Sequence, residues 1–440
     1  MVLVAIGVDA YADQFRDGLI RTNMRDPVSW GFYIGNFAFL VGVAAAAVVL
    51  VIPAYLYDWK PIKEIALIGE LLAIAAIIMC VLFVTVDVGN PLRVWHMLPF
   101  IGTPNFPRSL LAWDVVVLSA YLTLNLVIST HILFKSYRNQ HYNKRFAVPL
   151  ILFSIPAAVG IHTVTAFLFA GLPARSYWNA AILAPRFLTS AFCSGPAIIL
   201  VLLQILRRTT RLKVTNAALF KIAELMAYAM FINLFLFGAE IFRDYYSSTR
   251  EIIHYQFLFG GGPYGGSPIA IYAWFALACS LGAFLLFLIP RTRTNLITLN
   301  IGAVMIYAGV YIEKGVALVV PGFAPSTLGE IYQYAPSSTE LRVSMGIFGI
   351  GAILFTLMVK VATKFLFSNP ALQGHHDDGG HDAPGAVAAA AVVEAAAATS
   401  AVKAAAAGPA AAAAPVEPEP GPEPEAAAGD DDGTSERPAG

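Results

Sequence analysis

Asp87, His162, Arg186 and Glu313 are acids, bases and cations set in stretches whose neighbours are nearly all apolar. In hydrocarbon a charged side chain costs at least about 2.5 to 3.5 kcal/mol at mid-depth, so one that is kept there is paired, used, or both. Asp87 and Arg93 flank a turn containing Asn90-Pro91, and Trp95-His96 follows. An acid, a base and an imidazole so arranged could handle the protons of a hydroxyl that gains and loses them. Equally, Asp87 and Arg93 could only pair with each other while Trp95 anchors at the headgroups. Glu313-Lys314 has the same two readings, self-compensated charge or proton handling. Arg186, Ser190 and Ser194 recur at steps of four, and His162, Thr165 and Phe169 also share one helix face. Such faces could line a pocket for a flat amphipathic ligand with polar ends, as a quinone has, or act as contacts between helices, where Ser and Thr are frequent.

The elements that must position these groups are long. A hydrocarbon core about 30 Å thick needs roughly 20 apolar residues of helix. Runs of that length predict nine spans, at residues 30–52, 65–87, 109–134, 147–170, 185–206, 217–241, 268–290, 296–320 and 341–366. Pro53, Asn90-Pro91, Gly171-Leu172-Pro173 and the stretch from Gly260 to Gly266 separate them. Composition agrees: of 440 residues 58% are apolar and 13% charged, against roughly 25% charged in an ordinary soluble domain. A water-soluble enzyme is excluded. From Pro370 onward there are 12 acidic and 2 basic residues, which leaves 26 basic and 16 acidic in the first 369. That surplus is spread between apolar runs instead of gathering on one soluble face, so nucleic acid is not an expected partner.

Lys and Arg number 14 in the connections near residues 60, 140, 210 and 292 and at the end of the last span, against 10 in the much longer connections opposite. The bias predicts an inner-membrane protein with the short basic loops in the cytoplasm, the N-terminus outside and the C-terminus inside. Asp87, Asp114, His162, Arg186, Glu240, Asp244 and Glu313 then all fall in the outer half. The inner half holds Glu70, His131, Glu224 and Lys360. Lys360 can snorkel and His131 sits where a span meets water. Glu70 and Glu224, with Glu240 above them, could form a proton path, or could simply reach headgroups from near their helix starts.

Cys80, Cys193 and Cys279 each stand alone, so no disulfide framework, zinc site or iron-sulfur ligand set is expected. His131 and His162 are the only histidines inside spans and lie at opposite depths, which gives no convincing haem pair. The Gly260 to Gly266 stretch has no strand before it and no GK[ST] after it, and so reads as an outer loop, not a nucleotide cradle. Residues 1–28 read as an N-terminal extramembrane segment without a cleavable signal, 29–367 as a polytopic helical domain, and 368–440 as a disordered Ala/Pro/acidic tail. Within the tail, Glu394 and Lys403 oppose insertion of the Ala386 to Ala407 stretch. His375-His376-Asp377-Asp378 with His381 reads as a solvated linker that could hold a divalent metal only adventitiously.

The turn Asp87-Val88-Gly89-Asn90-Pro91-Leu92-Arg93-Val94-Trp95-His96 resembles that of the NrfD-like membrane subunits typified by polysulfide reductase. Ser109-Leu110-Leu111-Ala112-Trp113 and the segment from Trp178 to Gly195 fit the same family. Tyr311-Ile312-Glu313-Lys314-Gly315, Val320-Pro321-Gly322-Phe323 and Leu328-Gly329-Glu330 look like its DsrP branch, the quinone-interacting subunit of the complex linked to dissimilatory sulfite reductase. The resemblance covers residues 28 to 366. It implies two four-helix bundles plus an extra helix, which suits a first span set apart from eight others; a tenth helix is common in this branch. It further implies a menaquinone site near the outer face, a ferredoxin-like iron-sulfur subunit docked there, and other membrane and cytochrome subunits. Carried over by motif, it points to Asp87, His162 and Glu313 as the reacting groups. Arg93, His96, Trp113, Asp114, His162, Arg186 and Ser190 are the residues expected around the quinone.

A quinone couple moves two electrons and two protons, yet the sequence shows no ligand set for haem or an iron-sulfur cluster, so the electrons must pass to another chain. The leading expectation is a quinone-reactive subunit of a respiratory redox complex in sulfur-compound metabolism, with proton translocation as an addition. A secondary transporter or ion channel is the competing class; interrupted helices in matched inverted halves would favour it, and the sequence shows no such pair. A haem-bearing cytochrome is the third, and a visible spectrum would reveal it.

Overall fold

The computed structural model describes residues 1–367 apart from 58, 64, 98–100, 141, 211, 213, 248–250, 263–265 and 327. The expectations for the 368–440 tail, its histidine cluster and its Ala-rich stretch, and for the centre of the glycine-rich loop, lie outside the described residues. The described residues are helical, with no strand longer than the single bridge between Arg25 and Val28. A bilayer demands this, because each backbone N–H and C=O must find its partner within the chain.

In chain order the helices are α1 (Val2–Asp17), α2 (Phe32–Tyr55), α3 (Ala66–Asp87), α4 (Leu110–Tyr137), α5 (Lys144–Ala170), α6 (Leu183–Thr209), α7 (Asn216–Tyr246), the short α8 (Ile252–Phe259), α9 (Ala270–Leu288), α10 (Leu296–Phe323) and α11 (Ser338–Phe367). Among the described residues nine of these, α2 to α7 and α9 to α11, are long and apolar enough to cross a membrane. The chain is a multi-pass integral membrane protein. Side-chain caps mark several starts: Ser109 accepts from Ala112 N, Asn143 from Arg145 N, Thr215 from Ala218 N and Asn295 from Ile297 N. The helices overrun the apolar runs by a few residues, since Lys and Arg in the flanks continue a helix at little cost.

Two rings of four organise the molecule. The first is α2, α3, α4 and α5, the second α6, α7, α9 and α10, and they meet along α2 and α6. Both begin at the same face, so the repeat is parallel, not inverted. That face carries the connections 88–109, 171–182, 247–269 and 324–337 and is called here the long-loop face; the opposite one is the short-loop face. The helix outside the rings is the last span, not the first. α2 is buried nearly all round, from Tyr33 to Ala44, because it sits at the seam. α11 instead lies against α3, and α1 runs along α11. Gly7 and Gly346 let those two backbones touch, for a methyl on either would collide with the other's Cα.

Two spans are interrupted. α2 breaks at Ala45 and finishes in a wide turn around Pro53; α10 breaks after Lys314 at Gly315 and resumes at Val316. At the long-loop end an aromatic plug of Trp30, Phe169, Trp178 and Phe323 closes the seam. Trp178 is stacked on Trp30 at 5.6 Å, and its indole donates to the Leu318 carbonyl at 2.8 Å.

Candidate functional site

Among the described residues a buried cluster of charge lies in the second ring. α6 supplies Arg186 in its first turn, α7 supplies Glu240 near its end, and α10 supplies Glu313 just before its break. Arg186 donates through Nη1 to Glu240 and through Nη2 to Glu313 Oε1 at 3.0 Å. Asn233, two turns back on α7, donates to the other Glu313 oxygen at 3.3 Å and accepts from Thr189 at 3.4 Å. The guanidinium lies over the Phe237 ring, 4.8 Å from its centroid, while its Nε is buried and has no partner among the described residues. Lys314 turns toward the seam, donating to the Phe187 carbonyl at 2.9 Å with its ammonium 4.1 Å from that ring's centroid. Two cations and two carboxylates compensate one another, which is the condition for keeping four ionisable groups at this depth.

Arg186, Glu240, Glu313, Asn233 and Ser280 line a cleft whose remaining wall is apolar, from Leu234, Phe237, Ala273 and Leu277. The enclosed space is about 40 Å³, enough for a water molecule; counted with its open mouth the cleft is about 610 Å³. The enclosed part is far smaller than a small-molecule site of roughly 300 to 1,000 Å³, and the larger figure includes open solvent. Tyr177, from the loop before α6, also lines it and donates to the Ala317 carbonyl at 3.1 Å. Burial raises the Tyr177 hydroxyl above the ordinary phenol range, so it stays a donor. Beside it His254 of α8 bridges the Pro321 carbonyl at 2.8 Å and Ser176 at 3.2 Å, and burial lowers its basicity, which keeps the imidazole neutral.

The first ring holds its polar groups differently. Asp114 on α4 accepts from Thr165 on α5 at 2.7 Å. His162, one turn earlier on α5, is fully buried, with Nδ1 2.7 Å from the Ala158 carbonyl and Nε2 lacking a partner. Toward the short-loop face Glu70 accepts from Ser129 at 3.2 Å. A third site closes the end of α3. One oxygen of Asp87 is buried and unpartnered, and the fully buried Glu340 stands near enough to act on it electrostatically. Glu340 itself accepts from Tyr334, from Asn23 N at 3.0 Å and from Ser337 N at 2.8 Å.

Of the residues singled out in the sequence, the structure brings Arg186, Glu240 and Glu313 together, and Asp114 close to His162 through Thr165. Others stand apart. Asp87 and Arg93 form no ion pair: Arg93 and His96 are exposed on the turn Pro91–Met97, where Trp95 stacks on His96 at 3.9 Å. Trp113 is 37% exposed and spends its indole N–H on the Pro107 carbonyl. Ser190 spends its hydroxyl on its own helix, on the carbonyls of Arg186 and Phe187. The three acids expected along a proton path are not joined by hydrogen bonds among the described residues. Glu70 is in the first ring, whereas Glu224 pairs with Lys221 at 3.3 Å and accepts from Tyr228. Glu224 is sixteen residues from Glu240 on α7, about 24 Å along the axis.

Sequence reasoning passed over Glu340, Asn233 and His254. Glu340 carried a legible signal: Ser337-Ser338-Thr339-Glu340 is the S-x-x-E capping pattern, and the two residues do cap reciprocally. Asn233 and His254 had none, since each acts through a partner distant in sequence.

An integral membrane protein of two parallel four-helix rings, with buried acid–base clusters at one end, is the class defined so far. The sequence profile described as "Polysulphide reductase, NrfD" matches residues 21–323, and the chain belongs to that family. The match takes in both rings and stops where α10 ends, leaving α11 outside it. Among similar proteins, a putative membrane subunit of dimethyl sulfoxide reductase from Halobacterium salinarum is 26% identical over 80% of this chain and 87% of its own length. A selenate reductase subunit of Mesobacillus selenatarsenatis is 22% identical over 85% and 95%. An Hdr-like menaquinol oxidoreductase integral membrane subunit of Archaeoglobus fulgidus is 22% identical over 82% and 90%.

Proposed function

We propose that this chain is the quinone-reactive membrane subunit of a respiratory redox complex. It exchanges electrons between menaquinol or menaquinone and an iron-sulfur subunit docked on the long-loop face, in the cytoplasmic membrane of the cell. The observation that carries the reading is the cleft at Arg186. There a guanidinium with one free N–H and two carboxylates converge on an otherwise apolar mouth. A quinone carbonyl needs a donor and a quinol hydroxyl needs an acceptor, and the same few atoms offer both. In this proposal the naphthoquinone ring lies across the open side of the cleft, which must widen to admit it beyond the enclosed 40 Å³.

Kinship supports the assignment, since the relatives named above are subunits of reductases or of a menaquinol oxidoreductase. In this proposal the long-loop face is outside and the tail after residue 367 cytoplasmic, as the Lys and Arg bias suggests. Asp87 and His162 serve proton exchange on the first-ring side. The DsrP branch, and with it sulfur-compound metabolism, cytochrome partners and proton translocation, is the finer part of the proposal; its support is the Tyr311 to Gly315 and Val320 to Phe323 motifs.

The test is to purify the tagged full chain gently from native membranes, identify what travels with it, and titrate a menaquinol analogue. Co-purification of an iron-sulfur subunit, with analogue binding lost in Arg186→Gln, is expected. Haem absorption arising from the isolated chain, or unaltered binding in Arg186→Gln, would overturn the reading.

A further inference from the structure

Three buried polar groups from three different helices meet at the seam between the rings without satisfying one another. Ser194 of α6 is fully buried with no partner for its hydroxyl. His162 of α5 is fully buried with Nε2 unpartnered. Lys314 of α10 is 3% exposed and has, among the described residues, one hydrogen-bond acceptor for three N–H groups, the Phe187 carbonyl. They surround one stretch of α2. A methyl placed on Gly42 would lie 3.2 Å from Ser194 Oγ and 3.7 Å from Lys314 Nζ, and the His162 ring faces the Val41 carbonyl without closing a hydrogen bond at Nε2. Gly42 is what allows a hydroxyl and an ammonium to come so close to the helix axis.

The chemistry of the three groups selects the ligand. His162 Nδ1 is 2.7 Å from the Ala158 carbonyl, which only accepts, so Nδ1 carries the hydrogen and Nε2 of the neutral ring presents a lone pair. Lys314 presents hydrogens only. A bridging ligand must therefore accept from the ammonium and donate to the imidazole. An anion can do the first and not the second, and an alkali cation the reverse. Water does both, and Ser194 can take either role toward it.

We propose that the junction of α2, α5, α6 and α10 at Gly42 holds a bound water linking Lys314, Ser194 and His162, and that this water relays protons sideways between the two rings. On one side, Lys314 adjoins Glu313 and the Arg186 cluster; Glu313, Arg186 and Cys193 are the titratable or charged groups around the ammonium. On the other, His162 leads one turn along α5 to Thr165 and its partner Asp114. In the relay step an ammonium hydrogen passes from Lys314 Nζ to the water while a water hydrogen passes to His162 Nε2. An N–H and an O–H bond break, an O–H and an N–H bond form, and the charge moves from amine to imidazole. No oxidant is required. The relay's use in quinone turnover rests on the function proposed above, whereas the bound water does not.

The two parts are tested separately. A high-resolution density map of the purified full chain should show an ordered water within hydrogen-bond reach of His162 Nε2 and Lys314 Nζ; a dry contact there overturns the site. Lys314→Met and Ser194→Ala are then compared with wild type for menaquinol-analogue binding and turnover in the native complex. Binding should be retained, with turnover down about a hundredfold in Lys314→Met, and down less, with a larger solvent isotope effect, in Ser194→Ala. Wild-type turnover in both variants would overturn the relay even with the water in place. If the wild-type protein does not bind the analogue at all, it is the quinone reading that fails, and the map still decides the water.

Discussion

Within the first ring the buried carboxyls of Glu70 and Asp114 each face a hydroxyl, Ser129 and Thr165, whereas in the second Arg186 is gripped by Glu240 and Glu313. A hydroxyl can donate to a carboxylate or accept from a carboxylic acid, so the partners of the first ring serve a group in either protonation state. A guanidinium serves only the charged form. The first ring is thus arranged for protons to come and go, and the second for charge to be held in place while a ligand is presented with it.

The largest effect expected from that contrast is at Arg186. Replacing it with Met leaves Glu240 and Glu313 with only Lys314 as nearby counter-charge in an apolar cleft, a loss of about 3 to 5 kcal/mol when one partner of a buried pair is removed. The melting temperature of the detergent-solubilised chain should fall by many degrees, and analogue binding should vanish with it. A melting temperature close to wild type would mean that the cleft is wet enough to solvate both acids and that the second ring is no more charge-locked than the first.

Neutral isosteres sharpen the same comparison at smaller scale. Glu313→Gln keeps the shape but halves the counter-charge on Arg186, and hydrogen bonds to charged groups are worth about 1.5 to 3 kcal/mol. Asp114→Asn keeps an oxygen to accept from Thr165 and disturbs no ion pair, so its cost should stay below about 1 kcal/mol. Thermal or chemical unfolding of the two variants side by side should therefore rank Glu313→Gln well above Asp114→Asn. Turnover should reverse the emphasis: Asp114→Asn, nearly silent in stability, should impair any step that needs a proton from the first ring.

The difference between the rings was only half legible in the sequence. The nine spans followed from apolar runs of sufficient length, and the gathering of Asp87, Asp114, His162, Arg186, Glu240 and Glu313 at one end followed from their positions in those runs. Which of them touch did not. Arg186 finds Glu240 and Glu313 at separations of 54 and 127 residues, and nothing local in any of the three segments specifies the others. The pairing of Asp87 with Arg93 was suggested by nearness in sequence, and it fails because α3 ends by pointing Asp87 inward toward Glu340 while the next turn carries Arg93 out to the surface. The odd helix was misplaced for a related reason. Hydropathy measures how apolar a span is and not which neighbours cover it, so α2, enclosed at the seam, and α11, held between α3 and α1, read alike.

The smallest effect concerns the edge of the second ring, where the tie is a single imidazole. His254 ties α8 to the Pro321 carbonyl of α10 and to Ser176, and burial lowers its basicity below the ordinary histidine value of 6.5. An unfolded or undocked α8 would take up a proton near that ordinary value while the docked form resists it. The contribution is therefore complete above about pH 6.5 and is lost progressively as the pH falls from there toward the lowered value of the docked state. The protection of the amides of residues 252–259 against hydrogen exchange, taken relative to their base-catalysed intrinsic rates, should fall on acidification through this window, with no matching change in α7, whose N-cap is Thr215. His254→Gln removes the titration, so its protection should be lower at neutral pH and nearly flat with acid. If the wild-type profile is flat as well, the imidazole is solvated and the tie between α8 and α10 belongs to the apolar contacts of Tyr255 and Leu258.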